Sequence, residues 1–211
     1  MSNPEAYDDL DADAAAMSNL EAYDAAMSEL EAYGGAVEKK AHAPGTSASA
    51  LIENRTFDEL EVGDTDTLER SLTWRDIELF AVVSGDVNPA HVDADYARSD
   101  MFHGIVAHGM LGASLISTVL GTRLPGPGAI YLEQTLSFRH PVSVGDTITV
   151  SVTVADKQPE GHRVVLDCRC VNQRGETVIE GTAQVIAPTE KIRRHRFTLP
   201  DVSLLEHGAG A

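Results

Sequence analysis

A carboxylate and an imidazole lie five residues apart in the stretch SGDVNPAH, residues 84–91. Glycine, asparagine and proline form turns, so this stretch predicts a loop that holds Asp86 and His91 at a fixed separation. Such a pair can exchange a proton near neutral pH and can bind one water molecule between its two groups. Asn88 is expected to support the turn. The alternative is structural, with Asp86 capping the loop and His91 serving as a hydrogen-bonded structural histidine.

A second candidate feature follows in the segment VAHGMLGASLIST, residues 106–118. Gly109 is expected to begin an apolar helix that runs to Thr122, because the prolines in LPGPG at 124–128 end it. The N–H of Gly109 would then be an unpaired donor at the positive end of the helix dipole, with no side chain to block a ligand. Such a donor stabilises negative charge that develops on a carbonyl oxygen.

The elements around these two features predict an α+β fold. Thr73 and Asp76 have the spacing of a capping box for a helix that Gly85 ends, after a short strand at 68–73. Alternation of apolar and polar residues then predicts four strands, with VGD and QRGE as hairpin turns. They are expected at 129–138, 146–155, 162–171 and 177–186. One apolar helix among antiparallel strands indicates a sheet wrapped around that helix.

The chain divides into three regions by composition. Residues 1–50 contain the repeats MSNPEAY, MSNLEAY and MSELEAY and a linker, and are expected to be disordered or weakly helical. The folded domain is assigned to residues 51–188, and residues 189–211 form a C-terminal extension. The segment 101–122 lacks charged side chains and is long enough to cross a bilayer. Its histidines, glycines and hydroxyls favour a buried helix of a soluble protein instead.

The charge argues against nucleic acid as a partner. The formal net charge is −17, and ten of the 33 acidic residues lie within residues 1–38, which contain no basic residue. An acidic surface repels phosphate. The N-terminus lacks the pattern of a secretory signal, which favours a cytoplasmic protein with Cys168 and Cys170 as reduced thiols. No metal site is expected, because the cysteines and histidines lack ligand partners at suitable spacing.

Three stretches in this order resemble the MaoC-like, (R)-specific enoyl-CoA hydratase family. They are SGDVNPAHVD, GIVAHGMLGASLIS and YLEQTLSFRHPVSVGDTI, and the resemblance spans roughly residues 57–188. It implies a hot-dog fold, in which an antiparallel sheet wraps around a central helix, usually as a homodimer. It also implies hydration of trans-2-enoyl-CoA to (R)-3-hydroxyacyl-CoA, with no cofactor because CoA belongs to the substrate.

The resemblance assigns roles to individual residues. Asp86 and His91 bind and activate water, and the N–H of Gly109 binds the thioester carbonyl. Ser117 supports the aspartate, although a helix serine can instead bond back to a main-chain carbonyl. Leu120 lies on the same helix face as Ser117 and is a candidate for the border of the acyl pocket, or else a core residue. His108 is expected to be a packing or hydrogen-bonding residue of the turn before the helix.

Other functions stay open at this point. The same site could dehydrate another acyl thioester, such as a branched or dicarboxylic enoyl-CoA or one carried by acyl carrier protein. The protein could also bind acyl-CoA without catalysis. A thioesterase is disfavoured, because hot-dog thioesterases generally have a catalytic carboxylate on or beside the central helix and residues 101–122 contain none. The basic segment KIRRHR at 191–196 is a solvated tail or a contact for CoA phosphates.

Overall fold

The computed structural model describes residues 51–197 together with residues 199, 200, 202 and 204. The repeats and linker predicted for residues 1–50 therefore lie outside the described residues. The strands are β1 Leu51–Glu53, β2 Thr65–Ser71, β3 Ile130–Gln134, β4 Ser137–Phe138, β5 Thr147–Gln158, β6 Arg163–Asn172, β7 Thr177–Ile186 and β8 Arg193–His195. The α-helices are α1 Trp74–Ser84, α2 Pro89–Val92, α3 Ala94–Ser99 and α4 Gly109–Thr122, with 3₁₀ turns at Phe57–Glu59 and Glu160–His162.

An antiparallel sheet of six strands packs against α4. The strand order is β2-β5-β6-β7-β3, and β4 pairs with β7. Alternate residues of β5 and β6 are buried, and they form one core cluster with the apolar side chains of α4. Each aliphatic side chain buried in this way stabilises the fold by about 1.5–3 kcal/mol. The expected α+β arrangement of a sheet against one apolar helix is confirmed, and α4 has the predicted bounds.

Two sequence predictions about the strands are wrong. The strand expected at 129–138 is divided into β3 and β4, which both pair with β7, and between them the N–H of Thr135 donates to the carbonyl of Thr182 at 2.8 Å. VGD is not a hairpin turn, because β4 pairs with β7 while β5 lies between β2 and β6. The N–H of Gly145 instead donates to the carbonyl of Leu72 at the end of β2. QRGE does join the antiparallel pair β6 and β7.

The ends of the described domain are paired with each other. β1 and β8 form a separate antiparallel pair in which Leu51 lies opposite His195. Asn54 is buried beside this pair and uses its side chain to bind the main chain of Glu190 and Ile192 at 2.8 and 2.9 Å. Part of the segment called the C-terminal extension therefore folds back onto the first strand.

The two cysteines point from β6 into the core. Cys168 and Cys170 are free thiols, and both are buried. Burial raises the pKa of Cys168 to about 11 and that of Cys170 to about 12, because the charged thiolate is poorly solvated there. Within the described part of the chain, no helix has the length and apolar character needed to span a bilayer.

Candidate active site

The loop between α1 and α2 is held by its own side chains. α1 begins with the predicted capping box and ends at Gly85, which has φ 75° and ψ 6°. The side chain of Asp86 accepts the N–H of Asn88 at 3.1 Å, and the side chain of Asn88 accepts the N–H of Ala90 at 3.1 Å. Asn88 thus caps α2, as its supporting role required. One oxygen of Asp86 is left without a partner among the residues described.

His91 presents one ring nitrogen as a proton acceptor. Its Nδ1 lies 2.8 Å from the carbonyl oxygen of Val106. A carbonyl oxygen can only accept, so Nδ1 carries the hydrogen, and Nε2 of the neutral ring carries a lone pair. His91 is half-buried, whereas Asp86 is exposed in the single chain. This arrangement fixes the orientation of the imidazole that the sequence singled out.

His108, expected as a packing or hydrogen-bonding residue of the turn, lies beside this pair, and the sequence did not predict these partners. Its Nε2 donates to the main-chain oxygen of Asp86 at 3.0 Å, and its ring lies 4.0 Å from that of His91. One ligand atom from each of Asp86, His91 and His108 lies within 4.8 Å of the others. The premise that the histidines lack partners for a metal is therefore wrong, because folding joins residues that are far apart in sequence. The only signal was the position of His108 directly before Gly109.

Gly109 begins α4 and faces a cavity of about 350 Å³. His108, the residue before the helix, makes no side-chain cap, so the N–H of Gly109 is one of the unpaired donors of the first turn. An added Cβ on Gly109 would lie 2.9 Å from Cε1 of Phe138. The absent side chain therefore keeps open the space between the helix and this ring.

The cavity is lined mainly by apolar side chains. Phe138, Val142 and Ile179 are among them, and the polar side chains of the lining are His91, His108, Arg139 and His140. The N–H of Ala107, just before His108, donates to the carbonyl of Val142 at 2.7 Å. The strand-side wall is thereby tied to the start of α4. An apolar chain with one polar reactive end fits a cavity of this kind.

Asp146 stabilises the turn that carries this wall. Its carboxylate accepts the N–H of Ser143 at 2.9 Å, the side chain of Gln173 at 2.6 Å and Nη1 of Arg174 at 2.9 Å. Burial acts to raise its pKa, but the hydrogen bonds from Arg174 and Gln173 outweigh burial and hold the pKa of Asp146 below its usual range. Asp146, the buried aspartate of the PVSVGD stretch, therefore stabilises this turn.

Three residues assigned from the resemblance, Asp86, Ser117 and Leu120, are not among the residues that line the cavity. Ser117 is exposed on α4, and no hydrogen bond joins it to Asp86 among the described residues. The helix hydroxyls that bond back to carbonyls are those of Ser114, Thr118 and Thr122. Leu120 is only 2% exposed and belongs to the core cluster, not to the lining of this cavity.

Comparison with known proteins matches residues 61–169 to the family described as MaoC like domain. The chain belongs to the MaoC-like family. It is 48% identical over 132 residues to the (R)-specific enoyl-CoA hydratase of Rhodospirillum rubrum, covering 63% of this chain and 91% of that protein. It is 45% identical over 135 residues to the 3-hydroxybutyryl-CoA dehydratase of Methylorubrum extorquens, covering 64% and 85%.

The fold of this MaoC-like chain is also similar to solved structures. The unliganded R-hydratase PhaJ1 from Pseudomonas aeruginosa has a TM-score of 0.71 and 44% identity, with 74% of this chain and 99% of that one covered. An (R)-hydratase from A. caviae involved in PHA biosynthesis has a TM-score of 0.60 and 40% identity, covering 61% and 98%. The hot-dog fold expected from the resemblance is confirmed.

Proposed function

We propose that this protein hydrates trans-2-enoyl-CoA to (R)-3-hydroxyacyl-CoA and catalyses the reverse dehydration. The observation that carries the proposal is that His91 and Gly109 line the same cavity, while a carboxylate oxygen of Asp86 lies within 4.8 Å of a ring nitrogen of His91. The reaction needs an acid–base group and a donor for the thioester oxygen, and this cavity offers both. Relatives named as hydratase and dehydratase of acyl-CoA support the substrate class.

The free oxygen of Asp86 and Nε2 of His91 would hold one water molecule. As the water oxygen bonds to C3 of the enoyl group, the pair takes one proton from the water. The electron pair of the double bond moves toward the thioester and leaves negative charge on its oxygen. A proton is then returned to C2, so the pair ends in its starting protonation state. The loop around Asn88 keeps both groups in place, which lowers the entropy cost of orienting the water.

Gly109 would stabilise the charge on the thioester oxygen. Its N–H is an orphan donor of a helix of 14 residues, and the helix dipole adds positive potential at that end. One such donor in a site that excludes water is worth about 2.7–4 kcal/mol of barrier lowering. The chemistry uses acid–base groups and a hydrogen-bond donor, so we propose that it needs no metal and no cofactor beyond the CoA of the substrate.

The test is loss of the enoyl thioester absorbance on addition of protein to crotonyl-CoA, followed by chiral analysis of the product. We expect the (R)-alcohol.

Asp86→Asn keeps the shape of the side chain but removes the basic oxygen, and His91→Ala removes the ring. Each should lower kcat by at least about a hundredfold, with substrate binding much less affected. The double variant should be little worse than either single variant, because the pair acts as a unit. An (S) product, or near-normal turnover in both single variants, would contradict the proposal.

Acyl carrier protein is the alternative carrier. A mitochondrial 3-hydroxyacyl-[acyl-carrier-protein] dehydratase from Arabidopsis thaliana is 36% identical to this chain over 132 residues. A panel of enoyl thioesters of increasing chain length, offered on CoA and on acyl carrier protein, separates the two. We expect a higher kcat/KM on CoA, and a strong preference for acyl carrier protein would move the assignment to the alternative.

We further propose that the protein is a homodimer in the cytoplasm. β3 is an edge strand of the sheet and carries Tyr131, which is 41% exposed. Pairing two edges removes the unpaired main-chain groups that invite aggregation. Val83 near the end of α1 and Val87 in the loop between α1 and α2 are exposed apolar side chains, which also favour a covering partner. The two free thiols support a reducing compartment.

A further inference from the structure

His108 is almost fully enclosed at the junction of three parts of the site. It is 2% exposed and directly precedes the first residue of α4. Its ring packs against the ring of His91 at 4.0 Å between centroids and against the ring of Phe80 at 5.0 Å. Because Nε2 faces a carbonyl oxygen, that of Asp86, this nitrogen must carry the hydrogen.

The hydrogen bond from His108 is the long-range hydrogen bond of residues 85–88, the loop between α1 and α2, whereas Ala90 and His91 of the following helix bond to Val106. The other hydrogen bonds of residues 85–88 in the described chain connect them to residues 80–91, within the loop and its flanking helices. Residues 86 and 88 are exposed, so packing contributes little to their placement. The bond at 3.0 Å is therefore the direct link between the Asp86 main chain and the residue that precedes α4.

We propose that His108 is the positioning residue that sets the distance between Asp86 of the water-binding pair and Gly109. This inference rests on the proposed function, because the distance matters only if Asp86 orients the water while Gly109 binds the thioester oxygen. His108 touches neither reacting atom through Nε2. It connects the two groups, since its side chain holds the Asp86 main chain and its own main chain continues into Gly109.

The other ring nitrogen supports this assignment. Nδ1 of His108 is buried and has no hydrogen-bond partner among the residues described. Leaving a buried acceptor unpaired costs about 1–3 kcal/mol, a cost that an apolar side chain of the same volume would avoid. A residue selected only for packing would therefore be better served by such a side chain. The hydrogen bond that Nε2 donates to Asp86 explains why a histidine occupies this position.

The expected effect follows from the sensitivity of catalysis to position. Misplacing a reacting group by about 1 Å can reduce the rate by about a hundredfold. We expect His108→Met, which fills similar volume without a donor, to lower kcat by about that factor while KM changes by less than about threefold. His108→Gln places an amide N–H near the position of Nε2, and we expect it to restore kcat to within about tenfold of wild type.

A second readout does not depend on turnover. Amide hydrogen exchange of the peptide that contains residues 85–88 should be faster in His108→Met than in wild type, and near wild type in His108→Gln. His103→Asn is the matched control, because His103 is an exposed loop histidine with φ 56°, a conformation that asparagine tolerates. It should leave both kcat and exchange unchanged. If His108→Met does not fold, His108→Asn takes its place, since its shorter amide does not reach Asp86.

The outcomes separate this inference from the proposed function. Equal kcat in the methionine, glutamine and wild-type proteins overturns the positioning role, and so does an equal loss in both variants, which indicates packing. Amide hydrogen exchange of residues 85–88 that is equal in the methionine and glutamine variants overturns it as well. If the wild type does not hydrate enoyl-CoA but the exchange of residues 85–88 follows the donor, the proposed function is wrong and His108 still positions the loop.

Discussion

Replacing Gly109 by alanine should reduce activity without unfolding the protein. The new Cβ would lie 2.9 Å from Cε1 of Phe138 and 3.2 and 3.3 Å from two further atoms of that ring. Phe138 is 54% exposed, so its ring can rotate away at little cost to the fold. The methyl group then occupies the space through which the thioester oxygen must approach the Gly109 N–H. Activity is therefore expected to fall for a steric reason.

The expected loss of activity follows from how much one oxyanion donor contributes to the rate. Full loss of one oxyanion donor lowers the rate by about 10²–10³-fold. A methyl that prevents close approach should reach the lower end, so we expect kcat/KM of Gly109→Ala to fall by about a hundredfold, equal to about 2.7 kcal/mol. The free energy of unfolding should stay within about 1 kcal/mol of wild type, because alanine is a better helix former than glycine.

The same helix supplies a matched control. Gly121 lies in the last turn of α4, is exposed, and an added Cβ there would meet no atom within 4 Å. Gly121→Ala should therefore raise the free energy of unfolding by about 0.5–1 kcal/mol and leave kcat/KM unchanged. The assays are loss of enoyl thioester absorbance and urea unfolding. Turnover of Gly109→Ala within about threefold of wild type would refute an oxyanion site at this helix end.

Three further predictions concern assembly, pH and the thiols. Light scattering at micromolar concentration should give twice the chain mass of 22.6 kDa, and a fully active monomer would exclude the proposed dimer. Because the pKa of Asp146 is lowered in the folded state, its contribution to stability is present above about pH 4 and is lost as pH falls further. Asp146→Asn should lose about 2 kcal/mol at pH 7 and flatten the acid side of the stability curve, as followed by urea unfolding at a series of pH values. Cys168 and Cys170 should resist a thiol reagent at pH 7.5 until urea unfolds the chain, since burial raises both pKa values. Rapid labelling of the native protein would contradict their inward placement.

The parts of the site that depend on local sequence could be predicted. Turn formers around Asp86 place a loop at residues 85–88, and prolines after Thr122 fix the end of α4. The prediction that the loop reaches His91 is wrong, because His91 lies in the short helix α2 that Asn88 caps. Both signals are local, because turn-forming residues and prolines restrict the backbone conformation of the few residues around them. The cap by Asn88 is of the same kind, since its side chain binds the next turn. These features can be predicted without knowing how the strands of the sheet pair.

Features that depend on contacts between distant segments could not be predicted. The hydrogen bond between His108 and Asp86 joins residues 22 apart, and no spacing rule describes it. The strand around Thr135 is divided into β3 and β4, although the alternation of apolar and polar residues alone fits one continuous strand. The faces of α4 were also ambiguous, because an almost entirely apolar helix has no periodic signal that separates Ser117 from Leu120.

The pairing of β1 with β8 brings the two ends of the domain to one point on its surface. Leu51 and His195 are direct antiparallel partners, so their Cα atoms lie about 5 Å apart. A short peptide could join them, and new termini could then be opened in an exposed turn such as that at Glu160 and Gly161. The domain is thus suited to circular permutation, and to insertion as a unit into a surface loop of another protein, where its entry and exit would occupy the space of a single hairpin.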